Sequence, residues 1–175
     1  MTDKSSTSDA AIELVPYDSA WPTKFARERE TLESLLAQWL VADIEHVGST
    51  AVPRLVAKPV IDILAPVESL EASREVIQVV SAAGYMYYPY KAEEMHWFCK
   101  PTPAYRTHHL HVVPQNSERW RDNLAFRDAL RRDPELAANY GQLKLELAQR
   151  FRHDREAYTE AKSSFIRSVI DAQAK

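Results

Sequence analysis

One cysteine, three glycines and no long apolar run set the first limits on this chain of 175 residues. A lone Cys99 excludes an internal disulfide and a multi-thiolate metal site. Its neighbours Phe98 and Lys100 offer no base to activate a thiol, so a packed strand cysteine is expected. Three glycines are too few for a glycine-rich phosphate loop. No segment approaches the roughly 18 apolar residues of a membrane-spanning helix. Residues 1–10 are rich in Ser, Thr and Asp without an apolar core, which reads as a disordered tail and not a signal peptide. A cytoplasmic protein with no membrane partner is the expectation. Basic residues are also scarce: 22 Lys and Arg against 25 Asp and Glu leave a net charge of −3, which speaks against a dedicated nucleic-acid binder.

What is present suits an ordinary core. Hydrophobic residues make up 45% and charged residues 27%, close to a globular average, and residues 11–175 fit one domain. Apolar spacing predicts a helix over 22–40, with Pro22 in its first turn, and another over 69–83 capped by Gly84. Strands are predicted at 44–47, 60–64, 85–90, 95–100 and 108–113. From Ser117 the pattern is helical to the end, with Pro134 opening one helix and Leu136, Tyr140, Leu143, Leu147 and Phe151 forming a stripe. The fold class is α/β (α+β): a mixed sheet holding strands 44–47, 60–64 and 108–113, helices 22–40 and 69–83 on one face, and a C-terminal helical layer.

The chemistry concentrates in two places. In Glu45-His46-Val47-Gly48-Ser49-Thr50, a strand runs into a turn whose hydroxyls and amides suit phosphate oxygens, and Lys58 adds a compact cation. About a dozen residues later Asp62 lies among Val60, Ile61, Ile63 and Leu64, where a carboxylate needs a metal, a cation or several donors. In Arg106-Thr107-His108-His109-Leu110-His111-Val112, strand alternation puts His109 and His111 on one face. Paired imidazoles can ligate a metal, bond a phosphate or move a proton. The candidate cluster is Glu45, His46, Asp62, His109 and His111.

These segments, with Lys58-Pro59-Val60-Ile61-Asp62-Ile63, Phe126-Arg127-Asp128, Tyr140, Leu143-Lys144 and Tyr158 through Phe165, resemble the GrpB-like family over residues 12–170. The resemblance implies the nucleotidyltransferase-like fold, in which a Gly-Ser turn holds a triphosphate and carboxylates hold two divalent ions. It implies Asp62, His109 and His111 as catalytic residues and, with Glu45, as metal ligands. Gly48, Ser49, Thr50, Lys58, Arg127 and Lys144 become the nucleotide or substrate binders. Asp62 matches the first carboxylate of that fold, but Leu64 stands where the second belongs and His109 and His111 replace the third. That donor set suits Zn²⁺ or Mn²⁺, or a metal-free phosphate site, better than paired Mg²⁺. Arg54 stands where the family often has Gly. Relatives attached to dephospho-coenzyme-A kinase imply a nucleotide context. The expected partner is a nucleotide or other phosphorylated small molecule, bound for nucleotidyl transfer or by a module without chemistry; a homodimer is left open.

Overall fold

The computed structural model describes residues 11–174, so the tail expected over residues 1–10 lies outside them. Helix α1 (Trp21–Leu36) begins with Pro22 in its first turn, where a missing N–H costs nothing. It ends four residues short of the expected boundary, in a turn at 37–39. Strand β1 (Glu45–Val47) leads through Gly48 into one 3₁₀ turn at Ser49–Ala51, and β2 (Ile61–Val67) follows. Helix α2 (Val76–Ala82), β3 (Met86–Tyr88), β4 (His96–Pro101) and β5 (Arg106–Pro114) complete the sheet. Four helices close the chain: α3 (Glu118–Arg132), α4 (Pro134–Arg150), α5 (Arg155–Ala161) and α6 (Ser163–Gln173).

The five strands lie in the order β1-β2-β5-β4-β3. Only β2 and β5 are parallel; the other pairs are antiparallel. The expected mixed sheet with 44–47, 60–64 and 108–113 side by side is therefore present. Strand β2 runs on through Pro66, which a central strand tolerates only where no ladder partner needs its N–H. Its carbonyl accepts from Val41 N on the side away from β5, and β1 pairing has already ended at Leu64. The absent donor thus falls beyond the ladder.

Alternation along the strands divides the core in two. Ile61, Ile63, Ala65, Phe98, Leu110 and Val112 face α1 and α2, where they meet Trp21, Leu32, Leu36, Val76 and Val80. The opposite face carries Val47, Leu64, Met95, Trp97, Cys99 and Val113 under Trp120 of α3. Both expected helices thus cover one face, and Cys99 is a fully buried strand residue whose thiol burial pushes up. The segment expected to begin a helix at 69 forms tight turns first. Arg74, Val76 and Ile77 donate three residues back, while Ser73 Oγ and His96 Nε2 bond the Ser69 and Leu70 carbonyls. Gly84 at φ +94° ends α2 as expected.

His46 belongs to the α1 face, since its register partner is Ile63. Its ring stacks on Phe25 at 4.7 Å, and its Nε2 lies 3.0 Å from Thr50 Oγ1, which donates to the Val60 carbonyl at 3.0 Å. Burial pushes this imidazole down to about 4. In the unfolded chain it titrates near pH 6.5. Between these values only the unfolded chain takes up the proton, so the contribution is whole above about pH 6.5 and lost as pH falls towards 4. In urea unfolding across pH 7 to 4, His46→Gln should remove about 3 kcal/mol of the acid-dependent loss seen in wild type. Arg54 is exposed and left-handed at φ +66°, a conformation glycine adopts without steric cost. Arg54→Gly should raise stability by about 1 kcal/mol, read as a higher urea midpoint at unchanged slope.

Candidate functional site around Asp62

The parallel pairing of β2 and β5 sets Asp62 opposite His109 and Leu64 opposite His111. Opposed residues share a face, so both imidazoles flank the carboxylate. His109 Nδ1 lies 3.0 Å and His111 Nε2 3.5 Å from Asp62 Oδ1. Burial pushes the Asp62 carboxyl up, but hydrogen bonds and charge from His109 and His111 outweigh it and hold the group well below the usual carboxylate range. Burial also lowers the His111 imidazole, against the opposing pull of Asp62.

Ligand atoms of Asp62, His109 and His111 lie within 4.8 Å of one another. Atoms that share one divalent ion at about 2.0–2.2 Å stand roughly 3–3.5 Å apart, and the two contacts to Oδ1 match that spacing. The residues fit one ion with a nitrogen-rich donor set. The second ring nitrogens, His109 Nε2 and His111 Nδ1, are buried without a hydrogen-bond partner among the described residues. Such unspent polar atoms are uncommon in a folded interior and mark capacity for a ligand or water.

Gly48 shapes the other side of the carboxylate. Its φ is +72°, and a Cβ there would stand 2.5 Å from Asp62 Oδ2. Glycine is therefore required twice, for the turn and for the close approach. Ser49 follows, and its Oγ accepts from Lys144 Nζ at 2.9 Å. Lys144, 2% exposed on α4, also donates to the Val56 carbonyl and lies 4.9 Å from the centre of the Tyr140 ring. Burial, with Lys162 and Lys58 nearby, lowers its ammonium from 10.5 to about 7. That drop is a penalty of roughly 5 kcal/mol on the charged form, far more than one hydrogen bond returns. Lys162 is lowered to about 8 by burial and by Lys58. Lys58 and Lys162 lie 4.7 and 4.2 Å from the centre of the Tyr158 ring. Lys144, bonded to Ser49, thus lies within the field of two more ammonium groups, and the acid that acts on both Lys144 and Lys162 is Asp62.

Of the expected site residues, the fold brings together Gly48, Ser49, Lys58, Asp62, His109, His111 and Lys144. It does not bring His46 or Thr50, which bond each other and the Val60 carbonyl across the sheet from Asp62. Adjacent strand residues point to opposite faces, so Glu45 and His46 could not both join one cluster. Glu45 keeps the Asp62 face but is engaged by Arg127 Nη1 at 2.5 Å, outside the convergent Asp-His-His group. Arg127 also donates from Nε to Asp128 at 2.8 Å and from Nη1 to the His46 carbonyl at 3.1 Å, clasping α3 to β1. It lines a separate cavity of about 520 Å³ with Tyr17, Phe25, Arg29, His46 and Arg131, which Asp62 and the paired histidines do not line. Lys162 and Tyr158 were missed, although Lys144 carried a signal. Four residues from Tyr140 and three from Leu147, it falls on an apolar helical stripe where a cation needs a reason.

Known proteins agree with this architecture. The family model described as GrpB protein matches residues 11–172. A UPF0157 protein of Pseudomonas aeruginosa is 39% identical over 95% of this chain and 69% of its own. A glutamate-rich protein GrpB of Alkalihalophilus pseudofirmus is 32% identical over 90% of this chain and 93% of its own. A dephospho-CoA kinase of Mycolicibacterium paratuberculosis is 28% identical over 91% of this chain but only 45% of its own length. Among solved structures, the conserved protein GrpB from Enterococcus faecalis superposes with a TM-score of 0.83 at 33% identity, covering 91% of this chain and 96% of that one. A cytoplasmic RNA terminal U-transferase shares the fold at a TM-score of 0.55 and 13% identity, over 78% of this chain and 43% of that one. With its nucleotidyltransferase-like sheet and a family match across nearly all its length, this chain belongs to the GrpB family.

Proposed function

We propose that this protein binds a nucleotide or another phosphorylated small molecule, with Ser49, Lys58 and Lys144 on the phosphates and a divalent ion on Asp62, His109 and His111. The observation that carries this reading is the Lys144–Ser49 contact of 2.9 Å beside a carboxylate already flanked by two imidazoles. A buried ammonium driven down to about 7 beside two more lysines is costly alone and is relieved by an anion. Lys162 extends the same cationic wall. A divalent ion would supply charge neutralisation to phosphate oxygens. The chain's own groups would fix the phosphate against Ser49, and Gly48 would let the Asp62 carboxylate stand close to that turn.

Leu64 favours binding over transfer. It lies opposite His111, two residues along β2 from Asp62, where a second carboxylate would be needed for a two-ion centre. The fold shared with an RNA terminal U-transferase keeps nucleotidyl transfer as the alternative. Release of pyrophosphate from a nucleoside triphosphate, with candidate hydroxyl acceptors, separates the two.

Calorimetry with Zn²⁺ and Mn²⁺, then with nucleotides and sugar phosphates in their presence, tests the binding reading. Asp62→Asn should abolish the metal heat and lower the melting temperature of the free protein, because the carboxylate that His109 and His111 answer in the fold is lost. Intact metal binding in this variant would reject the role given to Asp62. Lys144 generates a further expectation. Near pH 8 its ammonium is mostly neutral in the free protein, and a bound phosphate favours the charged form. Binding should therefore take up nearly one proton at Lys144 at pH 8, besides a fraction at Lys162, seen as a heat that depends on buffer ionisation enthalpy. Lys144→Met should lose the larger part of that uptake and weaken binding by about tenfold or more.

A further inference from the structure

The face that holds Asp62 continues outward across two more strands. His109 opposes Cys99 and His111 opposes Trp97 on β4; these in turn oppose Met86 and Tyr88 on β3. Opposed residues share a face, so Met86, Tyr88 and Trp97 stand on the side of the candidate site. The Trp97 ring lies 5.1 Å from the His109 ring, centre to centre. Tyr88 and Tyr90 meet the same indole at 6.3 and 6.2 Å, with interplanar angles of 84° and 72°. Trp97 is 8% exposed and Arg106 lies 5.3 Å from its ring centre, whereas Tyr88 and Tyr90 are each 50% exposed. Lys91 Nζ lies 5.9 Å from the centre of the Tyr90 ring, on a residue that is still half exposed. Tyr87, next to Tyr88 in sequence, instead packs on Phe98 in the opposite core. Strand β3 thus gives one aromatic to the core and turns Tyr88, with Tyr90 beyond its end, towards the site face.

We infer that Tyr88 and Tyr90, backed by Trp97, seat the planar ring of the phosphorylated ligand, which makes that ligand a nucleotide and not a sugar phosphate or inorganic phosphate. This rests on the phosphate reading of Ser49 and the lysines. Three inter-strand steps of about 4.8 Å separate β2 from β3, a span of roughly 14 Å. A nucleotide with phosphates at one end and a base at the other covers such a span. Stacking on an aromatic side chain tolerates any base, since every base presents a π-face, so the seat would discriminate ring from no ring more than one base from another.

The test compares ATP with inorganic tripolyphosphate by calorimetry on the full chain, both with Mn²⁺. Wild type should bind ATP more tightly than tripolyphosphate. Tyr88→Ala/Tyr90→Ala should weaken ATP by about tenfold or more and leave tripolyphosphate unchanged, the loss expected when base stacking is removed. Tyr88→Phe/Tyr90→Phe keeps both rings and should keep the ATP affinity, which separates stacking from any loss of fold. Unchanged ATP affinity in the alanine variant overturns the ring seat alone. Failure of wild type to bind either ligand overturns the phosphate reading and the ring seat with it. Sedimentation of both proteins closes the alternative occupant. A wild-type dimer that the alanine variant dissociates, at unchanged ATP affinity, assigns the patch to a second copy and rejects the inference.

Discussion

Asp62 is a carboxylate on an interior strand whose neighbours Ile61 and Ile63 are buried at 2% and 0% exposure. An anion in that position is tolerable only if several groups answer it at once. His109 and His111 do so from β5, and Gly48 keeps the space beside Oδ2 open. Neither arrangement is local. The imidazoles arrive 47 and 49 residues later through the parallel β2–β5 pairing, which requires the crossover through α2, β3 and β4. Much of the topology can be understood as the route by which β5 comes to lie beside β2 with Asp62 opposite His109.

The sheet separates stability from chemistry by alternation. One face is a dry core in which α1 and α2 cover aliphatic residues and Phe98. The other is shared: Leu64, Trp97 and Val113 pack under α3, while Asp62, His109 and His111 remain partly open beside them. Helix α4 then lays Lys144 over Ser49, and its Gly141 allows close packing, since a Cβ there would lie 3.3 Å from Val56. The depressed lysines and the anionic Asp62 describe one electrostatic unit. Each lysine destabilises the charge on its neighbours, and Asp62 offsets only part of that repulsion.

The donor set distinguishes this protein from a site built on several carboxylates. One carboxylate and two imidazoles form a nitrogen-rich donor group, and Leu64 leaves no second carboxylate two residues along β2. Glu45 cannot make up the difference while Arg127 holds it, because that pair also anchors α3 to β1. The same clasp ties an arginine that the resemblance assigns to ligand binding into the packing of α3 on β1.

Strand identity, the fold class and the pairing of His109 with His111 were all legible in the sequence, because alternation and helical spacing are properties of short segments. Pro22, Pro134 and Gly84 likewise marked boundaries through local backbone geometry. Alternation also separates Glu45 from His46, but it cannot say which of them faces Asp62. That choice came from the β1–β2 register, which sets Glu45 opposite Leu64 and His46 opposite Ile63. The fates of Thr50 and Arg127 depended on partners 10 and 82 residues away, the Val60 carbonyl and Glu45. Lys162, at the end of α5 and four residues after Tyr158, joined the site only because Lys58, far earlier in the chain, comes to the same ring. The sequence by itself determined which residues share a strand face or a helix stripe; tertiary structure decided which faces meet, because inter-strand register and helix docking are set by contacts between segments far apart along the chain.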